Sequence, residues 1–278
     1  MTMAEALRDP IEPPPGAGTA IPKLSVRNLV KVRRSSAGSI TTAVDRVSFD
    51  VHRGEFVCLL GPSGCGKTTI LNILAGLDRP DEGTALLDGR AIAGPGPDRA
   101  VLFQEPALFP WLSVAGNVEL ALRLVGVPAE ERRRRARGWL EAVGLGRHAD
   151  EQPHELSAGM RQRAALARAL ATDPDVLLCD EPFGALDAQA RELLQDELQR
   201  MWVQGEGAKT FVFVTHNVRE AALLADRVLV MSAAPGRLVE EQRIFAPRPR
   251  RLDDPLVSRV VSDIHELLMS EVGKGAAS

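Results

Sequence analysis

The sequence predicts an α/β fold: a parallel sheet covered by helices on both sides, with a helical block inserted between its first and later strands. Three observations predict it. Compact apolar strands such as "EFVCLL", "DVLLCD", "TFVFVTH" and "DRVLVMS" alternate with helical segments, as βαβ units require. From about Glu105 to Ala171 the pattern turns mainly helical. A strand also feeds a helix directly through "GPSGCGKT", after which Ile70, Ile73, Leu74 and Leu77 recur at helical spacing.

Taken in order, residues 1–22 are rich in Pro, Gly and Ala, which predicts a disordered lead-in. The ordered unit is expected over 23–245, followed by a short tail with a helix over 246–278. "LSVRNLV", "VDRVSFDV" and "EFVCLL" read as short strands, the first two joined by the "RRSSAGS" turn. "GTALLDGRAI" reads as a hairpin on Asp88-Gly89. "VAGNVELALRLVGV", "PAEERRRRARGWLEAVGL" and "GMRQRAALARALA" are three helices, the last stopped by Asp173-Pro174. The helical subdomain they form is expected over about 105–171. An amphipathic helix over about Ala188–Trp202 separates "DVLLCD" from "TFVFVTH", and "DPLVSRVVSDIHELLMSEV" forms a C-terminal helix.

Composition narrows the function. Net charge is −3, so no bulk electrostatic drive toward nucleic acid or anionic lipid exists. The basic run "EERRRRAR" lies in a helical stretch beside two glutamates and reads as a solvated helix face. Cys58, Cys65 and Cys179 form no spaced cluster, and their odd number suits a reducing compartment. No apolar run approaches the roughly 20 residues needed to cross a bilayer, and the first residues lack signal-peptide features. Any membrane role therefore comes through a partner.

The motifs converge on phosphate chemistry. Gly61-Pro62-Ser63-Gly64-Cys65-Gly66-Lys67-Thr68-Thr69 fits G-x-x-x-x-G-K-[ST] in a strand–loop–helix setting. Its glycines let successive N–H groups point inward as a nest for oxygen anions, and the following helix adds its positive dipole end. Lys67 is placed to reach the β- and γ-phosphates, and the Thr68 hydroxyl to ligate Mg²⁺. Cys65 contributes its N–H. The strand "VLLCD" ends in Asp180, a candidate for holding Mg²⁺, and Glu181, a candidate base that polarises the attacking water. His216 after "TFVFVT" aims at the same γ-phosphate. Gln104 after "AVLF" can reach metal or water through its amide.

These residues, with Leu156-Ser157-Ala158-Gly159-Met160, resemble the ATP-binding cassette of ABC transporters over about Leu24 to Leu268. The resemblance implies a P-loop NTPase with a RecA-like core, a small antiparallel β subdomain and the inserted α-helical subdomain. In it "LSAGM" occupies the place of the family's "LSGGQ", Gln104 that of its Q-loop, "ALD" (185–187, ending in Asp187) that of its D-loop, and His216 that of its switch histidine. It further implies two copies facing head to tail, with ATP between one copy's phosphate loop and the Ser157–Met160 segment of the other. Ala158 departs from the usual Gly, and its methyl narrows the accessible backbone angles. Met160 departs from Gln. There is no Tyr in the chain, and Arg33 falls near the position of the family's adenine-stacking aromatic.

"LFPWLSV" and "THNVREAALLADRVLVMSAAPGRLVEE" are similar to stretches of the nitrate, taurine and alkanesulfonate importer group, with Asn217 in place of Asp. That likeness implies integral membrane permease subunits received at Phe109, Pro110 and Trp111. It also implies a substrate-binding protein acting indirectly, and a peripheral location on the cytoplasmic face of the plasma membrane. Two alternatives remain: a soluble cassette ATPase not coupled to transport, and a cassette that binds ATP with little turnover.

Overall fold

A computed structural model describes residues 21–34, 38–184, 186–204 and 209–276. The lead-in expected over 1–22 and the centre of the "RRSSAGS" turn fall largely outside these residues. The first strands make a small antiparallel sheet. β1 (Leu24–Arg34) pairs with β2 (Ile40–Val51) on one side and β4 (Glu82–Leu87) on the other. β5 (Arg90–Ala91) closes a hairpin with β4. Asp88 and Gly89 both take positive φ there, as a two-residue hairpin turn requires.

The main sheet has the order β10-β9-β3-β8-β7-β6. β3 (Phe56–Leu60), β6 (Arg99–Leu102), β7 (Val176–Asp180), β8 (Thr210–Thr215) and β9 (Arg227–Met231) run parallel, and β10 (Leu238–Arg243) is antiparallel to β9. Its central strands are apolar throughout because both faces are covered. Phe56, Cys58, Leu60, Leu177, Cys179, Phe211 and Phe213 point to one core, shared with the later helices. Val57, Leu59, Val176, Leu178, Val212 and Val214 point to the other, filled by α1 (Lys67–Ala75) and the small sheet. The buried Lys23 ties the layers together, reaching Asp88 at 2.6 Å and Asp175 at 2.7 Å.

α2 (Val114–Leu124), α3 (Ala129–Ala142) and α4 (Ala158–Ala171) enclose a third core built on Val118, Leu122, Leu140 and Leu145. The arginine run lies on α3 with Arg133, Arg134 and Arg135 exposed, and Arg135 paired to Glu131 at 2.6 Å, as a solvated face should be. α5 (Ala188–Gln204), α6 (Val218–Leu224) and α7 (Pro255–Ala276) cover the sheet face opposite α1. Two elements carried no clear pattern in the sequence: the seven-residue α6 and the mostly exposed edge strand β10. No helix among the described residues is long and apolar enough to cross a membrane.

Candidate functional site

Parallel pairing brings the motif residues to one edge. β3, β8, β7 and β6 are neighbours, and from their carboxyl ends emerge the 61–66 loop, His216, the Asp180-Glu181 pair and Gln104 respectively. This is the edge where open α/β sheets bind ligands.

Gly64 and Gly66 have φ of +81° and +94°, a backbone region that a β-carbon disfavours. A β-carbon on Gly66 would stand 2.7 Å from the Ala43 carbonyl, so the loop seats directly on β2. From the other side Gly236 approaches so closely that a β-carbon there would lie 1.9 Å from the Cys65 carbonyl. Sequence reasoning missed Gly236; its only signal was the "PGR" turn. Lys67 is nearly buried, and its ammonium donates to the carbonyls of Gly61 at 2.8 Å and Pro62 at 3.0 Å. The Cys65 N–H turns toward the Pro62 carbonyl at 3.3 Å, and burial pushes its thiol above the usual range.

Above the loop opens a cleft of about 400 Å³, lined by Ser63, Gly64 and Gly66–Thr69, by Glu181, and by Arg33 with Thr41–Ala43. Arg33 donates to the Thr69 hydroxyl at 2.7 Å, which holds its guanidinium at the rim. The Thr68 hydroxyl donates to Asp180 Oδ1 at 2.9 Å. Burial raises the Asp180 carboxyl above its ordinary range; the Thr68 bond opposes this and the Glu181 charge adds to it. A hydroxyl and a carboxylate converging beside a phosphate nest are the hard oxygen donors that suit Mg²⁺, and a cation there offsets the cost of burying Asp180.

Glu181 is a non-glycine residue at φ 42°, a backbone position that costs about 1–3 kcal/mol unless the surroundings impose it. They do: its N–H donates to the Val214 carbonyl at 2.9 Å, and its own carbonyl accepts from Gly184 at 3.0 Å. The turn aims the carboxylate into the cleft and at His216, whose Nδ1 lies 2.9 Å from Glu181 Oε2. Gln104 stands against Gly184, its Nε2 3.3 Å from where a β-carbon would project.

The "LSAGM" segment lies elsewhere. Ser157 caps α4, its hydroxyl accepting from the Met160 N–H at 3.3 Å, and Ser157 and Ala158 are exposed. None of residues 157–160 lines the cleft of their own chain. Ala158 begins the helix and is not among the positive-φ residues, so its methyl imposes no strain on the backbone of its own chain. A β-carbon on Gly159 would stand 2.9 Å from that of Ala190, so this glycine sets the approach of α5. Met160 packs against the core of α2–α4. Asp187 caps α5, accepting from the Ala190 N–H at 2.9 Å, while Ala185 lies outside the described residues.

Phe109 and Trp111 form a separate knob. Trp111 is 71% exposed and packs its ring on Phe109 with centroids 5.3 Å apart, beneath the Arg168 guanidinium. The buried Asn117 fixes this turn through the backbone N–H and carbonyl of Phe109 at 2.7 and 3.2 Å. Asn117 was not legible as functional, since an Asn inside a helix carries no distinctive pattern.

A family model described as "ABC transporter" matches residues 44–184. The chain is 49% identical over 228 residues to an uncharacterized ABC transporter ATP-binding protein of Methanocaldococcus jannaschii, covering 82% of this chain and 84% of that one. It is 52% identical over 202 residues to a taurine import ATP-binding protein of Rhizobium johnstonii, covering 73% and 76% of the two chains. With a bicarbonate transport ATP-binding protein of Synechococcus elongatus it shares 45% over 234 residues, 83% of this chain but 35% of that longer one. Among solved structures it resembles a dimeric ATP-binding cassette bound to ADP and phosphate in a post-hydrolysis state, with a TM-score of 0.72 and 33% identity over 81% of this chain and all of the other.

Proposed function

This chain belongs to the ABC transporter family and is an ATPase of that family, and from that premise we propose that it powers an importer for a small anion such as taurine, another alkanesulfonate or nitrate. The observation that carries the enzymatic part is the convergence of the phosphate loop, Asp180, Glu181 and His216 on one sheet edge. The relatives named for taurine and bicarbonate transport support the small-anion part.

In this reading the backbone N–H groups of Gly64 and Gly66–Thr69 and the Lys67 ammonium hold the β- and γ-phosphates of ATP, while the Cys65 N–H, expected to join them, is turned to the Pro62 carbonyl. Thr68 and Asp180 hold Mg²⁺, with Gln104 reaching the same group; when bound, the ion neutralises phosphate charge. Glu181 orients and polarises the attacking water, and His216 fixes the Glu181 carboxylate while facing the γ-phosphate. Ser157 and the Gly159 backbone of a second copy close the pocket, with Ala158, Met160 and Asp187 bordering the interface. The exposed, cleft-remote position of Ser157 supports this pairing, as does the dimeric neighbour. The protein then sits peripherally on the cytoplasmic face of the membrane, bound to permease subunits that receive cargo from a binding protein.

Arg33 supplies the surface on which the base rests. A guanidinium plane stacks on any π face and offers no pattern that reads adenine. ATP and GTP are therefore expected to bind with near-equal affinity, measured by titration of each; a strong preference for ATP contradicts this role. Trp111 is the anchor for the membrane subunit, since a large aromatic left exposed on a braced turn is a typical binding hot spot. Trp111→Ala is expected to lose capture of the co-expressed permease subunit while keeping its melting temperature; capture at the parent level contradicts it. Deletion of the gene is expected to abolish growth on taurine, another alkanesulfonate or nitrate as sole source of sulfur or nitrogen. Unchanged growth on all three overturns the cargo class.

A further inference from the structure

Behind His216 lies a buried carboxylate that the reading above does not use. Glu220, on α6, is 5% exposed. Its Oε2 accepts from the Thr215 hydroxyl at 2.6 Å, and its Oε1 accepts from the Asn217 side-chain amide at 3.4 Å. The Asn217 N–H in turn donates to the Thr215 hydroxyl oxygen at 3.0 Å. The residues on both sides of His216 are therefore locked to one another and to Glu220, while the imidazole itself is left free to meet Glu181. Thr215 pairs with Leu60, the last residue before the phosphate loop, so the lock is referenced to the strand that carries the nucleotide.

The same carboxylate faces a second element. Arg191 Nε lies 3.8 Å from Glu220 Oε1 and is buried without a hydrogen bond among the described residues. Its Nη2 donates to the Leu186 carbonyl at 3.0 Å, directly before Asp187. A buried, unmatched donor this close to a buried carboxylate is a contact one small displacement short of forming. Moving the Leu186–Asp187 turn moves Arg191, and closing the gap pulls on the carboxylate that holds the His216 loop.

We propose that Glu220 is a positioning residue: it sets His216 against Glu181 and, through Arg191, makes that setting depend on the Leu186–Asp187 turn. This rests on the reading of Glu181 and His216 as the hydrolytic pair. A second copy that displaces the turn would then alter how the histidine is held against Glu181, which ties the hydrolytic rate to closure. Burial raises the Glu220 carboxyl above the ordinary range, opposed by the Thr215 bond, Arg191 and His216 and reinforced by the Glu181 charge, so a closer approach of Arg191 favours its charged form.

The test uses the full chain. Glu220→Gln keeps the size and an acceptor for Thr215 but removes the charge that Arg191 would meet. It is expected to melt within a few degrees of the parent and to bind ATP with unchanged affinity. Its kcat falls by about tenfold or more, in line with the cost of a catalytic group shifted by a fraction of an ångström to an ångström. Arg191→Met is expected to lower kcat in the same way, and the double variant to be no slower than the slower single one, because both act through one contact. A Glu220→Gln kcat within twofold of the parent overturns the proposal, as does a double variant whose losses multiply. His216→Ala separates the two levels. If it keeps the full rate, the hydrolytic pair itself is misread; if it is slow while Glu220→Gln is not, only the positioning role fails.

Discussion

Glu181→Gln retains ATP but loses steady-state turnover by about 10²–10⁴-fold, the contribution of a positioned general base. The amide is nearly isosteric, so it preserves the strained turn that the Val214 carbonyl and the Gly184 N–H impose on residue 181. What it removes is the proton acceptor beside His216. Stability should not suffer. The Glu181 charge raises the carboxyls of both Asp180 and Glu220, so neutralising it relieves repulsion in a crowded acidic corner. The expected melting temperature is equal to or above that of the parent. Turnover within tenfold of the parent would assign the base elsewhere.

Lys67→Ala fails at the earlier step of binding. The ammonium is nearly buried against two loop carbonyls and is the one cation inside the phosphate nest among the described residues that line it; Arg33 stands at the rim. Removing it leaves the Gly61 and Pro62 carbonyls without this donor and the phosphates without their charged contact. A hydrogen bond to a charged group contributes about 1.5–3 kcal/mol, which converts to a loss of roughly 10- to 100-fold in ATP affinity. The expected signature is a raised Kd in direct titration, in contrast to Glu181→Gln, which binds but does not turn over. A Kd within twofold of the parent would contradict the assignment of the nest.

The two variants also mark what the amino-acid pattern alone makes legible. The nest was legible because Gly64, Gly66 and Lys67 must stand at fixed spacing between a strand and a helix for the backbone to curl. The parallel sheet was legible because β3, β7 and β8 are apolar on both faces. Asp180, Glu181 and His216 could be gathered by the rule that ligands meet the carboxyl ends of parallel strands. Elements held by long-range contacts gave no such signal. β10 is mostly exposed, so no buried face imprinted alternation on it, and α6 is too short for a helical period to repeat. Gly236 supports the phosphate loop from 171 residues beyond Cys65, a proximity no local pattern contains. Glu220 and Arg191 look like ordinary helix-surface charges in sequence, and only packing of α6 against α5 buries one beside the other. Ala158 stood out from the pattern of residue types, which does not show that it is the first helical residue, where its backbone is unstrained.

The central claim is that a nucleotide is enclosed between two copies, each completing the other's pocket. Light scattering of Glu181→Gln with saturating MgATP tests it most directly. The account predicts twice the monomer mass with MgATP, the monomer mass without nucleotide, and, when Lys67→Ala is added, a dimer that forms only at correspondingly higher MgATP. A monomer at saturating MgATP, in a variant shown by titration to hold the nucleotide, would contradict it.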